Sequence, residues 1–454
     1  MPSAAALAPH LHRLRRNAAV HSSNALARLA HVVGDPYGRL EHDPDLLTLG
    51  EEIRSRPFVR SRTGLLLTSR HDVCAAVLRT PYASAVPPEP TDWLGRLLTG
   101  PAPAPGHADP IRDSFVALDG EDHARLRRLV QPAFSRNAVA RLEALTVRTA
   151  HALIDAMEPN DPVELVSAFA APLPMTVICE LLDVPLADRA RFGAWGDALA
   201  TGLDRPRSTA AARRIEAAVT DSAGYLGALV AERRARPGDD VLSLLAAGVD
   251  GDRLDDPSIV ATATFLLIAG FETTVNLIGR GTDLLLAHPE QLAAVAADPD
   301  RLLPDLVEEA LRYSSPVQYT FRTLTAAIPL PDGDHLPAGA EIVLLLGAAN
   351  RDPAVFADPH RFDLTRTDAR RHLAFGHGAH HCLGAALARL EAATAWRTLF
   401  ERFDVDRWQR AGTTTPTAGR MIRGLATLPM RLGPDRGRPG DRCASVTPRL
   451  AAGG

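Results

Sequence analysis

The sequence predicts a mainly helical protein with a minor sheet component. Three observations carry this: amphipathic stretches at helical spacing fill most of the chain to residue 320, Pro-Gly and Asp-Pro pairs punctuate them, and strand-like runs are few and short. Leu142 to Met157 and Ala210 to Arg234 read as such helices. The longest runs from about Pro257 to Ala287, opened by Asp255-Asp256-Pro257 as cap and first-turn signals. Another starts near Pro304 and ends before Pro316, because proline lacks the amide a helix interior needs. Strand-like runs are Gly64 to Leu67 and, after the turn Pro337-Ala338-Gly339, Glu341 to Leu346. Residues 1–25 show no sustained period, and the segment after Leu432 is rich in Gly, Pro and Arg. A single domain over 26–432 between two loose tails is therefore expected.

The 454 residues are 46% hydrophobic and 23% charged, an ordinary globular balance that excludes wholesale disorder. Fifty basic residues against 54 acidic ones give −4, so no positive field draws the chain to nucleic acid or an anionic membrane. Every basic residue is Arg, which reads as coding bias and carries no function. Cys74, Cys179, Cys382 and Cys443 are too scattered for a disulfide scaffold or a paired-cysteine zinc module. That usage fits a reducing cytoplasm. The short apolar run Ala4 to Ala8 precedes Arg13, Arg15 and Arg16, the reverse of a secretory signal. The longest apolar stretch, Ile259 to Phe271, has 13 residues against the ~20 of a bilayer span, so no membrane anchor is expected.

Residues 81–110 contain eight prolines, among them Pro87, Pro88, Pro90, Pro101, Pro103 and Pro105, and cannot be helical throughout. An interdomain linker and a long loop over a pocket are the two readings.

The densest chemistry lies in Phe375-Gly-His-Gly-Ala-His-His-Cys-Leu-Gly384, which leads into a helical run with Leu383, Leu387 and Leu390 on one face. A thiolate at a helix N-terminus is stabilised by the dipole and by free backbone N–H groups, which suits Cys382 to ligate iron. Gly378 and Gly384 would let the loop turn tightly and the helix backbone lie against a flat cofactor, and Phe375 would shield the sulfur. A structural thiol, a zinc or copper site using His377, His380, His381 and Cys382, and a cysteine nucleophile are the rivals. Zinc needs four tetrahedral ligands, for which adjacent His381 and Cys382 are poorly disposed. A nucleophile needs a base that sequence alone does not place.

Inside the longest helix stands Ala269-Gly-Phe-Glu-Thr-Thr274. Thr273 can bond back to the carbonyl of Ala269 and loosen the helix, while Gly270 removes a side chain from the same place, leaving a dent. Glu272 supplies a proton-carrying carboxyl beside the hydroxyl. Taken alone, such a segment is more often a solvated face. Glu309 and Arg312 in Glu-Ala-Leu-Arg share a helical face and can pair bidentately, although Glu308 with Arg312 would equally make a weak surface bridge.

The spacing Phe375-x-x-Gly378-x-x-x-Cys382-x-Gly384 resembles the haem-binding loop of the cytochromes P450, and other segments match in family order from about residue 115 to 432. The resemblance implies that fold, with a long central oxygen-binding helix over haem b held by a cysteine loop. It makes Cys382 the axial thiolate of the iron and Glu272 with Thr273 an acid–alcohol couple that delivers protons, with Ala269 and Gly270 beside the haem. Glu309, Arg312 and Arg361 of Phe356-Ala-Asp-Pro-His-Arg-Phe362 would form a structural triad locking the chain that leads to Cys382. His123, Arg127, Arg322 and His380 would meet the haem propionates. The proline-rich stretch becomes the loop over the substrate pocket, and the polar, Arg-rich region 185–215 makes the lid unusual. Pocket candidates by position are Phe265, Ala269, Val317, Gln318, Met421 and Ile422, mostly apolar. The expected activity is insertion of one oxygen atom into an apolar metabolite, hydroxylation or epoxidation. No flavin or dinucleotide fingerprint and no four-cysteine cluster motif is present, so electrons come from outside. By resemblance the donors are a ferredoxin and its reductase, the ferredoxin docking near Arg125, Arg128 and Arg389. A non-enzymatic haem-thiolate sensor, and then a cysteine or zinc hydrolase, are the alternatives.

Overall fold

In the computed structural model, whose described residues are 4–86, 109–157, 162–248, 254–330 and 332–438, one helix, Asp256–Ala287, forms the spine. The Asp255 carboxylate accepts from the Ser258 amide and Pro257 stands in the first turn, as its sequence signals require. The helix is apolar nearly all round because it has neighbours on most sides: Pro172–Leu181, Arg189–Thr201, Thr209–Ala235, Pro299–Tyr313 and Ala385–Arg402. The 13-residue apolar run thus belongs to a 32-residue helix, long and apolar enough to cross a bilayer. Its most apolar window is 67% buried inside the protein, which marks a core helix. A Cβ at Gly281 would overlap the Trp396 ring, and Trp396 Nε1 donates to Thr282 Oγ1 at 3.0 Å. That close seat fixes Ala385–Arg402, the helix following Cys382, against the spine.

A five-stranded sheet, in the order Val59–Arg60, Leu66–Thr68, Glu341–Leu344, Thr320–Leu324, Ala83–Ser84, packs Leu66, Ile342 and Leu344 on helix His71–Arg79, and Leu67 and Val343 on helices Pro36–His42 and Leu46–Ile53. Only Leu66–Thr68 and Glu341–Leu344 pair in parallel. The expected strand Gly64 to Leu67 starts at Leu66, because Gly64, at φ +94°, closes a turn by donating to the Ser61 carbonyl. The strand expected to reach Leu346 ends at Leu344, where Leu345 leads into the short helix Leu346–Ala349. The helix expected to start near Pro304 begins at Pro299 and carries Pro304 inside it.

The described parts of both tails, 4–25 and 433–438, differ from expectation, and residues 1–3 and 439–454 lie outside the described residues. Residues Ala4–Val32 form a helix, with Ala19, Val20, Ala27 and Ala30 buried. It packs on Pro36–His42, where a Cβ at Gly38 would strike the backbone of His31. The stripe is alanine, and small side chains give a weak periodic signal. Residues 433–438 are pinned by ion pairs: Arg402 Nε to Asp435 Oδ1 at 2.7 Å, Arg436 to Asp404 at 2.8 Å, and Arg438 to Asp155. Cys443, and the proline-rich loop apart from residues 81–86 and 109–110, lie outside the described residues.

Candidate active site

The cysteine loop turns on two glycines in the left-handed region, Gly376 at φ +67° and Gly378 at +69°. A side chain at Gly378 would strike the carbonyl of Leu78 at the end of helix His71–Arg79, so glycine is needed there for both reasons. The Cys382 amide donates to the Phe375 carbonyl at 2.9 Å, closing the loop. Gly384 caps the N-terminus of Ala385–Arg402 at φ −83°, and its absent side chain would find only Phe134, 3.9 Å away. It is the open approach to the helix rather than the turn that glycine serves there.

Cys382 is exposed, yet the protein atoms crowded round its sulfur push the thiol pKa up; the Gly384 amide and the cations of Arg127 and Arg389 oppose that. A bound metal deprotonates such a thiol outright. The Phe375 ring is half-buried, with the Arg389 guanidinium 4.5 Å from its centroid. Among the described residues no three His, Cys, Asp or Glu side chains are grouped to hold a metal ion, which removes support from the zinc reading.

Four basic residues from three distant segments converge beside this loop. The rings of His123 and His380 lie 4.1 Å apart. Arg127 donates to the His381 carbonyl at 2.7 Å, and Arg322 to the Phe321 carbonyl at 2.6 Å and Thr320 Oγ1 at 3.2 Å. Burial, then the cations of His123 and Arg322, push His380 down to about 4. Asp119, 3.7 Å from His380 Nε2, is the one carboxylate acting on that ring. His123 is 4% exposed and its Nε2 is buried without a partner. An orphaned donor within a cationic cluster is the environment a buried pair of carboxylates requires, so these residues fit the propionates of haem.

On the spine, Thr273 Oγ1 donates to the Ala269 carbonyl at 2.8 Å while the helix stays continuous. The local loosening expected there is confined to that side-chain bond. Gly270 departs from expectation: a Cβ on it would meet Ile178 Cδ1 at 3.2 Å, so its missing side chain serves the approach of Pro172–Leu181. Phe265 packs edge-on against Phe115 at 5.6 Å, and Phe115 in turn lies 6.4 Å from His123.

Burial pushes the Glu272 carboxyl up to about 7, the like charge of Asp197 adding to it. Asp197 comes from helix Arg189–Thr201, which approaches so closely that a Cβ on Gly196 would lie 2.9 Å from Phe271. Asn276, one turn on, is neutral, so Asp197 is the charged group acting on Glu272. Removing a neighbouring negative charge favours ionisation. If Glu272 passes protons as a carboxyl, product formed per reduced nucleotide falls as pH rises through about 7, and Asp197→Asn moves that inflection to lower pH. An inflection that stays put or moves up in the variant contradicts the coupling.

The Glu309–Arg312 pair is wholly buried, with Nε to Oε2 at 2.6 Å and Nη2 to Oε1 at 2.7 Å. Arg312 also donates to the carbonyls of Asn350, Pro359 and Arg361, and Glu309 accepts the Asp363 amide at 2.9 Å. Arg361 contributes only that carbonyl: its side chain is 65% exposed and reaches Asp363 at 3.6 Å. The second guanidinium beside Glu309 is that of Arg366, 3.6 Å away and 7% exposed. The chain turns at Asp358, φ +43°, and the Arg361 amide bonds back to Asp358, which aims the Arg361 side chain outward.

Glu308, read from sequence as one end of a surface bridge, is 2% exposed. Burial alone would raise its carboxyl; His372, 3.2 Å away, and Arg389, at 2.6 Å, outweigh that and hold it down at about 2. Arg389 is thus tied inward, while Arg128 is exposed.

The pocket candidates divide. Val317 and Ile422 form a bridge and the Gln318 amide donates to the Met421 carbonyl, so the two segments meet. The Gln318 side chain, however, donates to the Ser315 carbonyl and lies against Gly347, a loop-bracing role. Ile422 is buried, and Met421 packs on the cluster around Tyr319 and Leu345.

Sequence reasoning missed Glu391, two turns beyond Cys382. It is 3% exposed, and burial pushes its carboxyl up to about 8 against a hydrogen bond from Thr274, the neighbour of Thr273. An acidic residue interrupting the apolar face of Ala385–Arg402 was the available signal.

Residues 199–429 match the family model "Cytochrome P450". Similar proteins include cytochrome P450 monooxygenase PikC of Streptomyces venezuelae, 39% identical over 85% of this chain and 94% of that protein. The 6-deoxyerythronolide B hydroxylase of Saccharopolyspora erythraea is 41% identical over 72% of this chain and 81% of its own. Among solved structures, P450BioI in complex with an acyl carrier protein superposes with TM-score 0.76 at 31% identity, covering 87% of this chain and 100% of that one.

Proposed function

Since the chain belongs to the cytochrome P450 family and is a haem-thiolate monooxygenase, we propose that it hydroxylates or epoxidises an apolar small-molecule metabolite with electrons from a ferredoxin and its reductase. The observation that carries this is the adjacency in sequence of Thr273, whose hydroxyl rests on the Ala269 carbonyl, and Glu272, whose carboxyl burial pushes up to about 7, on the helix that also carries the apolar Phe265. A protein that only binds haem has no need of a proton-carrying pair there. Haem b, when bound, supplies the activation of dioxygen, with Cys382 as its thiolate ligand.

The chain's own residues do the rest. Cys382 Sγ would hold the iron, beside the Phe375 ring that Arg389 braces. His123, Arg127, Arg322 and His380 would hold the propionates. Thr273 Oγ1 presents a hydroxyl proton on the helix face, and Glu272 resupplies it from its carboxyl. Phe265 and Val317 would offer apolar surface to the substrate, with Ala269 small enough to admit it, and Met421 and Ile422, packed inward, would back that wall. The relative named for hydroxylating 6-deoxyerythronolide B supports a secondary-metabolite substrate. Arg125 and Arg128 suit an acidic ferredoxin on the cysteine side.

The test is a library of hydrophobic metabolites added to the haem-loaded protein, followed by turnover with a ferredoxin and reductase. The expected result is a saturable shift of the Soret band for a subset, and products heavier by one oxygen atom. A library that includes the secondary metabolites of the relatives and yields neither shift nor oxygenated product contradicts the substrate class.

A further inference from the structure

Away from the cysteine loop, the spine and the hairpin of strands Thr415–Pro416 and Leu425–Thr427 border an open cleft of about 360 Å³, lined by Arg280, Asp283, Arg410, Thr414, Pro416, Arg423 and Leu425. Three of those seven residues are arginines and one is an aspartate. Arg410 takes up the aspartate: its Nε donates to Asp283 Oδ1 at 2.8 Å and its Nη2 to the Asp283 carbonyl at 2.9 Å. The guanidinium groups of Arg280 and Arg423 have no hydrogen bond or ion pair among the described residues. Both residues are half-buried; burial disfavours the Arg280 cation, the Asp283 carboxylate partly offsets that, and Arg423 adds its repulsion. The hydroxyl of Thr414 on the same wall is buried without a partner.

The walls are held firmly. Gly424 is pressed against Asn276, since a Cβ there would overlap the Asn276 amide, and Arg280 follows one turn later on the same helical face. The Arg423 amide donates to the Pro316 carbonyl at 2.9 Å. Two guanidinium groups without a hydrogen-bonded partner and an idle hydroxyl, set in these walls, are matched by a group with several acceptor oxygens and two negative charges.

We propose that this cleft is a binding site for a dianionic oxyanion of the phosphate type, held by Arg280, Arg423 and Thr414. The ligand bridges the spine to the segment that begins at Met421 and Ile422, so its occupancy stiffens the wall of the substrate pocket from behind. Nothing in the oxygen chemistry uses these three residues, so the site stands independently of the reading of Glu272 and Thr273.

The experiment is calorimetric titration of the haem-loaded protein with inorganic phosphate and with phenyl phosphate, in a zwitterionic buffer at low salt. The expected result is saturable binding at one site per chain. Arg280→Gln and Arg423→Gln each weaken it about tenfold or more, the loss of one charge-assisted contact. Thr414→Val weakens it less, and all three variants keep their haem and melting temperature. Phenyl phosphate binding more tightly than inorganic phosphate identifies a phosphorylated small molecule as the ligand; equal affinities identify the free anion. Absence of saturable heat, or an affinity unchanged in the Arg280→Gln/Arg423→Gln double variant, reduces the cleft to a patch of surface charge and overturns the proposal.

Discussion

Glu309→Ala and Arg312→Ala are each expected to abolish accumulation of folded, haem-loaded protein. Both side chains are essentially inaccessible, and the pair is bidentate. Truncating either partner leaves the other charged and buried, typically at a cost of ~3–5 kcal/mol. That is a large part of a total stability of about 5–15 kcal/mol. Loss of Arg312 further strands the carbonyls of Asn350 and Arg361 and leaves that of Pro359 only the longer bond from Arg351 at 3.2 Å. Arg361→Ala, by contrast, removes an exposed side chain and should change stability by no more than ~0.5 kcal/mol. Arg366→Ala should cost visibly more, because its guanidinium lies inside beside Glu309. Melting temperature and haem content of the four variants check this. Near-normal values for the first two, or a larger loss for Arg361 than for Arg366, contradict the arrangement.

Thr273→Ala should separate oxygenation from electron consumption. The hydroxyl spends its bond on the Ala269 carbonyl within an intact helix, and Ala is the better helix former, so fold and haem binding should survive. On the proposed roles, what is lost is the proton held at Oγ1, and with it the route from the Glu272 carboxyl, which burial pushes up to about 7. Reduced nucleotide should then still be oxidised, with hydrogen peroxide rising as product falls. A loss of about tenfold or more in product per nucleotide oxidised is the expected scale for removing a positioned proton donor. Unchanged coupling with an accepted substrate removes Thr273 from the mechanism.

The spine was legible because its signals are local: an Asp-Asp-Pro start and a long apolar run. The cysteine loop was legible because its glycines and its cysteine lie within ten residues. Contacts between segments were not. Arg361 stands in the expected motif, yet which arginine reaches Glu309 depends on the turn at Asp358, and that turn delivers Arg366. The charge of Asp197 on Glu272 depends on two helices meeting at Gly196 and Phe271, 75 residues apart in sequence. Glu308 gave no local sign of burial, since its partners Arg389 and His372 lie far along the chain. The N-terminal helix was missed because an alanine stripe carries little hydrophobic periodicity.

The central claim is that Cys382 binds haem iron through its thiolate, and the spectrum of the reduced carbon monoxide adduct tests it most directly. The wild-type protein should show the strongly red-shifted Soret band of thiolate ligation, and Cys382→His should lose it. A wild type that purifies without haem after haem-supplemented expression, or a Cys382→His variant that keeps the band, contradicts the account.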